Sequence, residues 1–138
     1  MSYLSNFINA VNKNINIAII GSQGAIGNAF VEIMSKDNKI NKIYCFSRFK
    51  QTSSNNLLSN KIVSFYMDLE KENTISTVVE KIHQDQINFD IIIVTTGILS
   101  DGNIKPEKSL KDINPENFCK LLLVNTIGPS LIAKHFIS

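Results

Sequence analysis

Residues 21–27 read GSQGAIG and directly follow the apolar run NINIAII. Glycines stand at 21, 24 and 27, between a β-branched run and a helical pattern. That context is the one in which a glycine turn can cradle phosphate. Gly21 supplies the tight turn off the strand. Gly24 and Ala25 carry no bulky side chain where backbone must approach a pyrophosphate. Gly27 lets the following helix pack closely, and the helix N-terminus presents unpaired N–H groups to an anion. Ser22, Gln23 and Ile26 complete the turn. A strand–helix turn can also use glycine for geometry alone, but three glycines in one turn favour the phosphate reading. The spacing is GxxGxxG rather than GxGxxG, so the turn has to be weighed with its neighbours.

Other residues that could do chemistry are few. Cys45 sits in the apolar run IYCF and Cys119 in a helical pattern, with no CxxC and no Cys/His spacing typical of zinc. Two free thiols in a reducing compartment is the reading that follows, and no metal site is expected. His83 and His135 are isolated, and no Ser/His/Asp constellation is present. Tyr3, Tyr44 and Tyr66 are the tyrosines, and the fourth residue after each is Phe7, Arg48 and Glu70.

The elements that must position the glycine turn alternate. INIAII (15–20) reads as a buried strand, NAFVEIMSKD (28–37) as a helix and KIYCFS (42–47) as the second strand. The segment 50–60 is polar and turn-rich. KIVSFYMD (61–68) is the third strand, and 71–85 a helix with Ile75, Val78, Val79 and Ile82 on one face. FDIIIVTT (89–96) is the fourth strand, and 97–113 a loop. Asn114 as N-cap, Pro115 at the first position and Glu116 in the first turn open a long helix expected to run to the chain end. Leu4, Phe7, Ile8 and Val11 fit either a short N-terminal helix or an arm over 1–14. Alternation with continuous apolar strands predicts an α/β domain, its parallel sheet covered by helices on both faces.

In this order of elements the chain resembles the short-chain dehydrogenase/reductase superfamily, and within it the C-factor-like branch, over roughly residues 15–138. The superfamily turn is TGxxxGxG. Gly21 and Gly27 match its first and last glycines, Ala25 takes the middle position and Ile20 stands for the usual Thr. The GxxGxxG spacing also resembles extended and atypical subclasses such as sugar epimerases. Ser47-Arg48 end the second strand, where an NAD-preferring member carries an acidic residue. The resemblance therefore implies NADP(H) in preference to NAD(H), with Arg48 near the 2′-phosphate; a solvated surface charge is the other reading. Asp68-Leu69 resemble the pair whose Asp contacts adenine, though Asp68 also suits an ordinary strand-end turn. Thr95, Thr96 and Gly97 occupy the place of the family's Asn-Asn-Ala-Gly, on the nicotinamide-ribose side. The segment 106–129 ends in VNTIGP, and its Asn125 matches the structural and catalytic Asn of the tetrad, which perturbs a helix and holds a water. A solvent-facing helix Asn is the alternative.

The resemblance implies a Rossmann-type domain over 1–138 that binds a nicotinamide dinucleotide and serves a carbonyl/alcohol oxidoreductase. The family's catalytic Ser and Tyr-x-x-x-Lys do not occur in this sequence. The expectation is a sheet truncated after the fourth strand and its following helix, inactive alone, needing a missing C-terminal half or pairing as a homo-oligomer. A non-catalytic nucleotide-binding, signalling or dimerising module of C-factor type is the alternative. The 138 residues, 43% hydrophobic and 19% charged, have the composition of one soluble globular domain. The net charge of +2, without a basic cluster, points away from nucleic acid and membrane surfaces. No secretory signal or spanning run is read, so a cytoplasmic location is expected.

Overall fold

A computed structural model describes residues 14–49, 60–100, 102 and 104–137. The readings for 1–13 and for 50–59 lie outside the described residues. The chain divides into two compact units, one drawn from Met1–Tyr66 and Gln86–Thr95, the other from Met67–Asp85 and Thr96–Ser138.

The first unit holds β1 (Ile15–Ile20), α1 (Ala25–Ser35), β2 (Ile40–Ser47), β3 (Ile62–Tyr66) and β4 (Ile91–Val94). All pairings are parallel, in the order β3-β2-β1-β4. The chain therefore builds outward from β1 through β2 to β3, then returns to the other side of β1. That reversal is the switch point of a doubly wound sheet, where the strand ends leave a crevice. The register aligns Ile17 with Ile43 and Ile91, and Ile20 with Phe46 and Val94.

Both faces of β1 are buried, which is why its sequence reads as continuous apolar residues rather than an alternation. On one face Ile15, Ile17 and Ile19 join Ile43 and Cys45 under Val31 and Met34 of α1. On the other face Tyr44 and Phe46 carry an aromatic cluster with Phe65 and Phe89. Phe46 and Phe65 stack at 5.3 Å, and Tyr44 meets Phe89 edge-on at 5.1 Å. Ile17, Ile19 and Phe46 are fully buried, so β1 and β2 anchor this unit.

α1 starts at Ala25, three residues before the expected position. Its apolar period becomes visible only from Phe30, and the glycines at 24 and 27 mask the first turn because they are poor helix formers. It stops at Ser35, where the Asp37 carboxylate accepts from Lys39 N at 2.9 Å and turns the chain into β2.

The second unit holds α2 (Glu72–Gln84), a short 3₁₀ turn (Leu110–Asp112), α3 (Pro115–Leu122), a π-helical turn (Leu123–Ile127) and α4 (Gly128–Ile137). α2 buries Ile75, Val78, Val79 and Ile82, the face expected from its periodicity. Asn114 caps α3 as expected, its Oδ1 accepting from Glu116 N at 2.9 Å and Asn117 N at 3.1 Å. The expected single long helix is instead interrupted at 123–127, where Gly128 N donates to Leu123 O five residues back. Inside the expected loop, Ser109 and Asp112 form a reciprocal cap on the 3₁₀ turn.

Candidate functional site

The turn GSQGAIG leaves β1 at the switch point of the sheet. Gly21 has φ +86°, a left-handed conformation that a β-carbon resists. Its N–H donates to Phe46 O at 2.9 Å, folding the turn over the end of β2. Its carbonyl accepts from Gly24 N at 3.0 Å, which closes the turn. A β-carbon on Gly27 would stand 2.2 Å from that carbonyl oxygen, 2.8 Å from Ser22 Cα and 2.8 Å from Thr95 Oγ1. Only glycine fits there. A β-carbon on Gly24 would meet Gly21 O at an ordinary 3.4 Å, and its φ of −66° suits any residue. The three glycines thus have separate reasons: chain reversal at 21, close packing at 27, and an open approach at 24.

α1 begins at this turn with no side-chain cap and no acidic residue in its first turn. A helix start has N–H groups with no intrahelical partner and carries partial positive charge. Gln23, Gly24, Ala25 and Ile26 are exposed, Ile26 to 64%. An open, glycine-lined, uncapped helix start fits the pyrophosphate of a dinucleotide.

Ser22 points the other way. It is fully buried beside Cys45, and among the described residues its Oγ has no partner of ordinary hydrogen-bond geometry. Burial pushes the Cys45 thiol up to about 11, and the neighbouring Ser22 hydroxyl pulls against that shift. Such a thiol stays protonated and unreactive at neutral pH. Ser22 therefore joins the turn through its backbone.

The segment after β2 is drawn toward the turn. Gln23 Nε2 donates to Phe49 O at 3.2 Å, and Ser47 Oγ donates to the same carbonyl. Gln23 and Ser47 thereby meet on one carbonyl, with exposed Arg48 lying between Ser47 and Phe49 in the chain. Thr95, the first residue after β4, reaches back across the switch point. Its Oγ1 donates to Ile20 O at 2.9 Å, with Gly21 O at 3.2 Å, and its N–H also donates to Ile20 O at 2.8 Å.

The remaining expected site residues belong to the second unit. Asp68 is buried, its Oδ1 accepts from Glu70 N at 3.1 Å and its Oδ2 pairs with Lys71 Nζ at 3.5 Å. The carboxylate thus closes its own turn. Leu69 is buried against Gly128, where a β-carbon would stand 2.9 Å from the leucine side chain. The Thr96 hydroxyl is buried without a hydrogen-bond partner among the described residues. Gly97 is exposed, and a β-carbon on it would stand 3.7 Å from Asn125 Oδ1.

Asn125 lies in the middle of the π-helical turn. Its Oδ1 accepts from Ile98 N at 2.7 Å, and its Nδ2 donates to Ile98 O at 2.7 Å. Both ends of the amide are used, so the side chain grips the backbone beyond Gly97 as a paired strand would. Sequence reasoning placed Asn125 in a perturbed helix but could not name Ile98 as its partner, because the contact spans the loop between them. It also missed the Thr95 and Gln23 contacts for the same reason.

The sequence matches none of the curated proteins with which it was compared. Among solved structures the chain is similar to a short chain dehydrogenase from Leptospira borgpetersenii serovar Hardjo-bovis with bound NAD+, at TM-score 0.75 and 21% identity over 95% of this chain and 47% of that one. It is similar to the NADH-dependent reductase A1-R′ complexed with NAD, at TM-score 0.72 and 19% identity over 91% and 51% of the two chains. An NADPH-bound carbonyl reductase from chicken fatty liver matches at TM-score 0.70 and 12% identity, over 91% and 48%. The chain spans about half the length of these structures. At such identities the likeness is one of fold, a Rossmann-type sheet. The family model for short chain dehydrogenase matches residues 16–138, from β1 to the end, and the chain belongs to that family.

Proposed function

We propose that the chain is the nicotinamide-dinucleotide-binding portion of a short-chain oxidoreductase acting on a carbonyl/alcohol pair, inactive by itself. The observation that carries this reading is the uncapped start of α1 behind a glycine turn at the sheet's switch point. The dinucleotide would supply the hydride. Within residues 21–27, the backbone N–H groups not already donated to Phe46 O or Gly21 O, together with the helix dipole, bind its pyrophosphate. Arg48 attracts a 2′-phosphate, where an acidic residue would repel it, so the preferred form is NADP(H). Asp68 and Leu69 on the adenine, and Thr96 and Gly97 on the nicotinamide ribose, follow from the family resemblance; the Thr96 hydroxyl, unpartnered among the described residues, supports a polar ligand there. Asn125 orders the segment after Gly97 through Ile98, a positioning role. Proton transfer to a carbonyl needs a general acid of the Tyr-x-x-x-Lys type, which this sequence does not contain. The neighbours' bound NAD, NAD+ and NADPH support a nicotinamide dinucleotide. C-factor-like branching and a cytoplasmic location are part of the same proposal; no helix among the described residues is long and apolar enough to cross a membrane.

A titration of the full chain with NADPH and NADH tests it. NADPH should bind the tighter, and Arg48→Ala should bring the two affinities together. Absence of binding by folded protein at millimolar cofactor rejects the reading. A dimerising, non-catalytic module is favoured by a different observation: the second unit exposes Leu110, Ile113, Phe118, Leu122 and Ile127. Mass measurement by light scattering separates the two, since that module predicts a dimer and an isolated binding portion does not require one.

A further inference from the structure

The carbonyl oxygen of Gly21 is the negative end of a peptide dipole in the very turn proposed to hold an anion. If it swung toward the phosphate, it would repel what the helix start attracts. Three contacts hold it away. Gly24 N donates to it at 3.0 Å, Thr95 Oγ1 stands at 3.2 Å, and Gly27 packs on it so closely that a β-carbon would sit at 2.2 Å. Two of these are internal to the turn. The Thr95 contact comes from β4, across the switch point and 74 residues along the chain.

Thr95 is set for this by the sheet itself. β1 and β4 are in register from Ile17 with Ile91 to Ile20 with Val94, and Thr95 is the next residue. Its N–H takes Ile20 O at 2.8 Å, which fixes the backbone, and its hydroxyl shares its single proton between Ile20 O at 2.9 Å and Gly21 O. Both carbonyls belong to the residues where the strand becomes the turn. With its proton spent on these carbonyls, the hydroxyl has no proton left to donate to a ligand.

We propose that Thr95 is a positioning residue for the phosphate turn: its hydroxyl holds the Gly21 carbonyl inward so that the turn presents N–H groups, and not a carbonyl oxygen, to the pyrophosphate. This rests on the dinucleotide reading above and gives Thr95 a role that acts through the turn. It also makes the shape of the turn depend on the pairing of β4 with β1.

The test uses the full chain and NADPH as the probe. Thr95→Val keeps the shape of the side chain and removes the hydroxyl; NADPH affinity should fall about five- to tenfold, the loss of one neutral hydrogen bond. Thr95→Ser keeps the hydroxyl and should bind within about twofold of the parent, on the same principle. Equal losses in the two variants, or no loss in Thr95→Val, overturn the proposal. In the parent chain without NADPH, the Thr95 hydroxyl proton should give a slowly exchanging NMR resonance with a cross-peak to Gly27 Hα. A freely exchanging hydroxyl overturns the lock even if Thr95→Val fails to fold. If the parent chain does not bind NADPH while the hydroxyl is locked, the dinucleotide reading fails and the contact stands as structure alone.

Discussion

At the scale of single residues, the turn separates glycines that look alike in the sequence. Gly27→Ala drives a β-carbon to 2.2 Å from the Gly21 carbonyl, and backbone has to move. A loss of about 1–3 kcal/mol in denaturant unfolding is expected, with loss of dinucleotide binding. Gly24→Ala meets only ordinary contact at 3.4 Å, so its stability should stay within about 0.5 kcal/mol of the parent. The same denaturation series decides the matter: equal costs at the two positions would contradict the packing described. Asn125 offers a second contrast. Asn125→Asp keeps the acceptor for Ile98 N but turns a carboxylate oxygen on Ile98 O, where the amide donated. It should destabilise the chain by about 1 kcal/mol at neutral pH and recover as acid protonates the new carboxyl. A pH-independent cost would show that the paired contact does not form. The need for glycine at 27 was legible from its spacing after a buried strand. The partners of Thr95, Gln23 and Asn125 were not, because each is set by elements far apart in the chain.

At the scale of elements, periodicity revealed what buries a face and missed what bends. The apolar spacing of α2 located it to within a residue at each end. The Asn114-Pro115 cap marked where the last helical stretch begins but carried no sign of the π-helical turn at Leu123–Ile127, where the backbone takes up one extra residue. Gly128 follows that turn and packs on Leu69. Farther along, Lys134 Nζ and His135 Nε2 of α4 converge on one oxygen of Glu72 in the first turn of α2, at 2.7 and 3.0 Å. The Lys134 hydrogen bond, and then that of His135, hold the Glu72 carboxyl below its ordinary value. A depressed carboxyl contributes stability above its unfolded pKa, and that contribution is lost as pH falls through the lower folded value. Amide protection in the last turn of α4, taken relative to intrinsic exchange at the same pH, should therefore fall as the solution is acidified through the carboxylate range, and Glu72→Gln should flatten that dependence. An unchanged profile in Glu72→Gln would place the acid sensitivity elsewhere.

At the scale of the molecule, strand order carries more functional information than any single motif. Four parallel strands in the order β3-β2-β1-β4 put the GSQGAIG turn and Thr95 on either side of the one place where the sheet reverses. Sequence alternation foretold the parallel sheet, but the strand order followed only from the pairing. At the same place Gly24 and Ala25 are exposed, and a β-carbon on Gly24 would meet only ordinary contact. Family membership rests on residues 16–138, and the chain spans about half of the solved structures it resembles. Binding, rather than turnover, is accordingly the property to measure. The most direct measurement is the amide NMR spectrum of the full chain titrated with NADPH. Saturable shifts concentrated at residues 21–27, abolished by Gly24→Asp in a chain that still folds, are predicted. Amides of 21–27 that stay unmoved at millimolar NADPH in the folded parent would contradict the account.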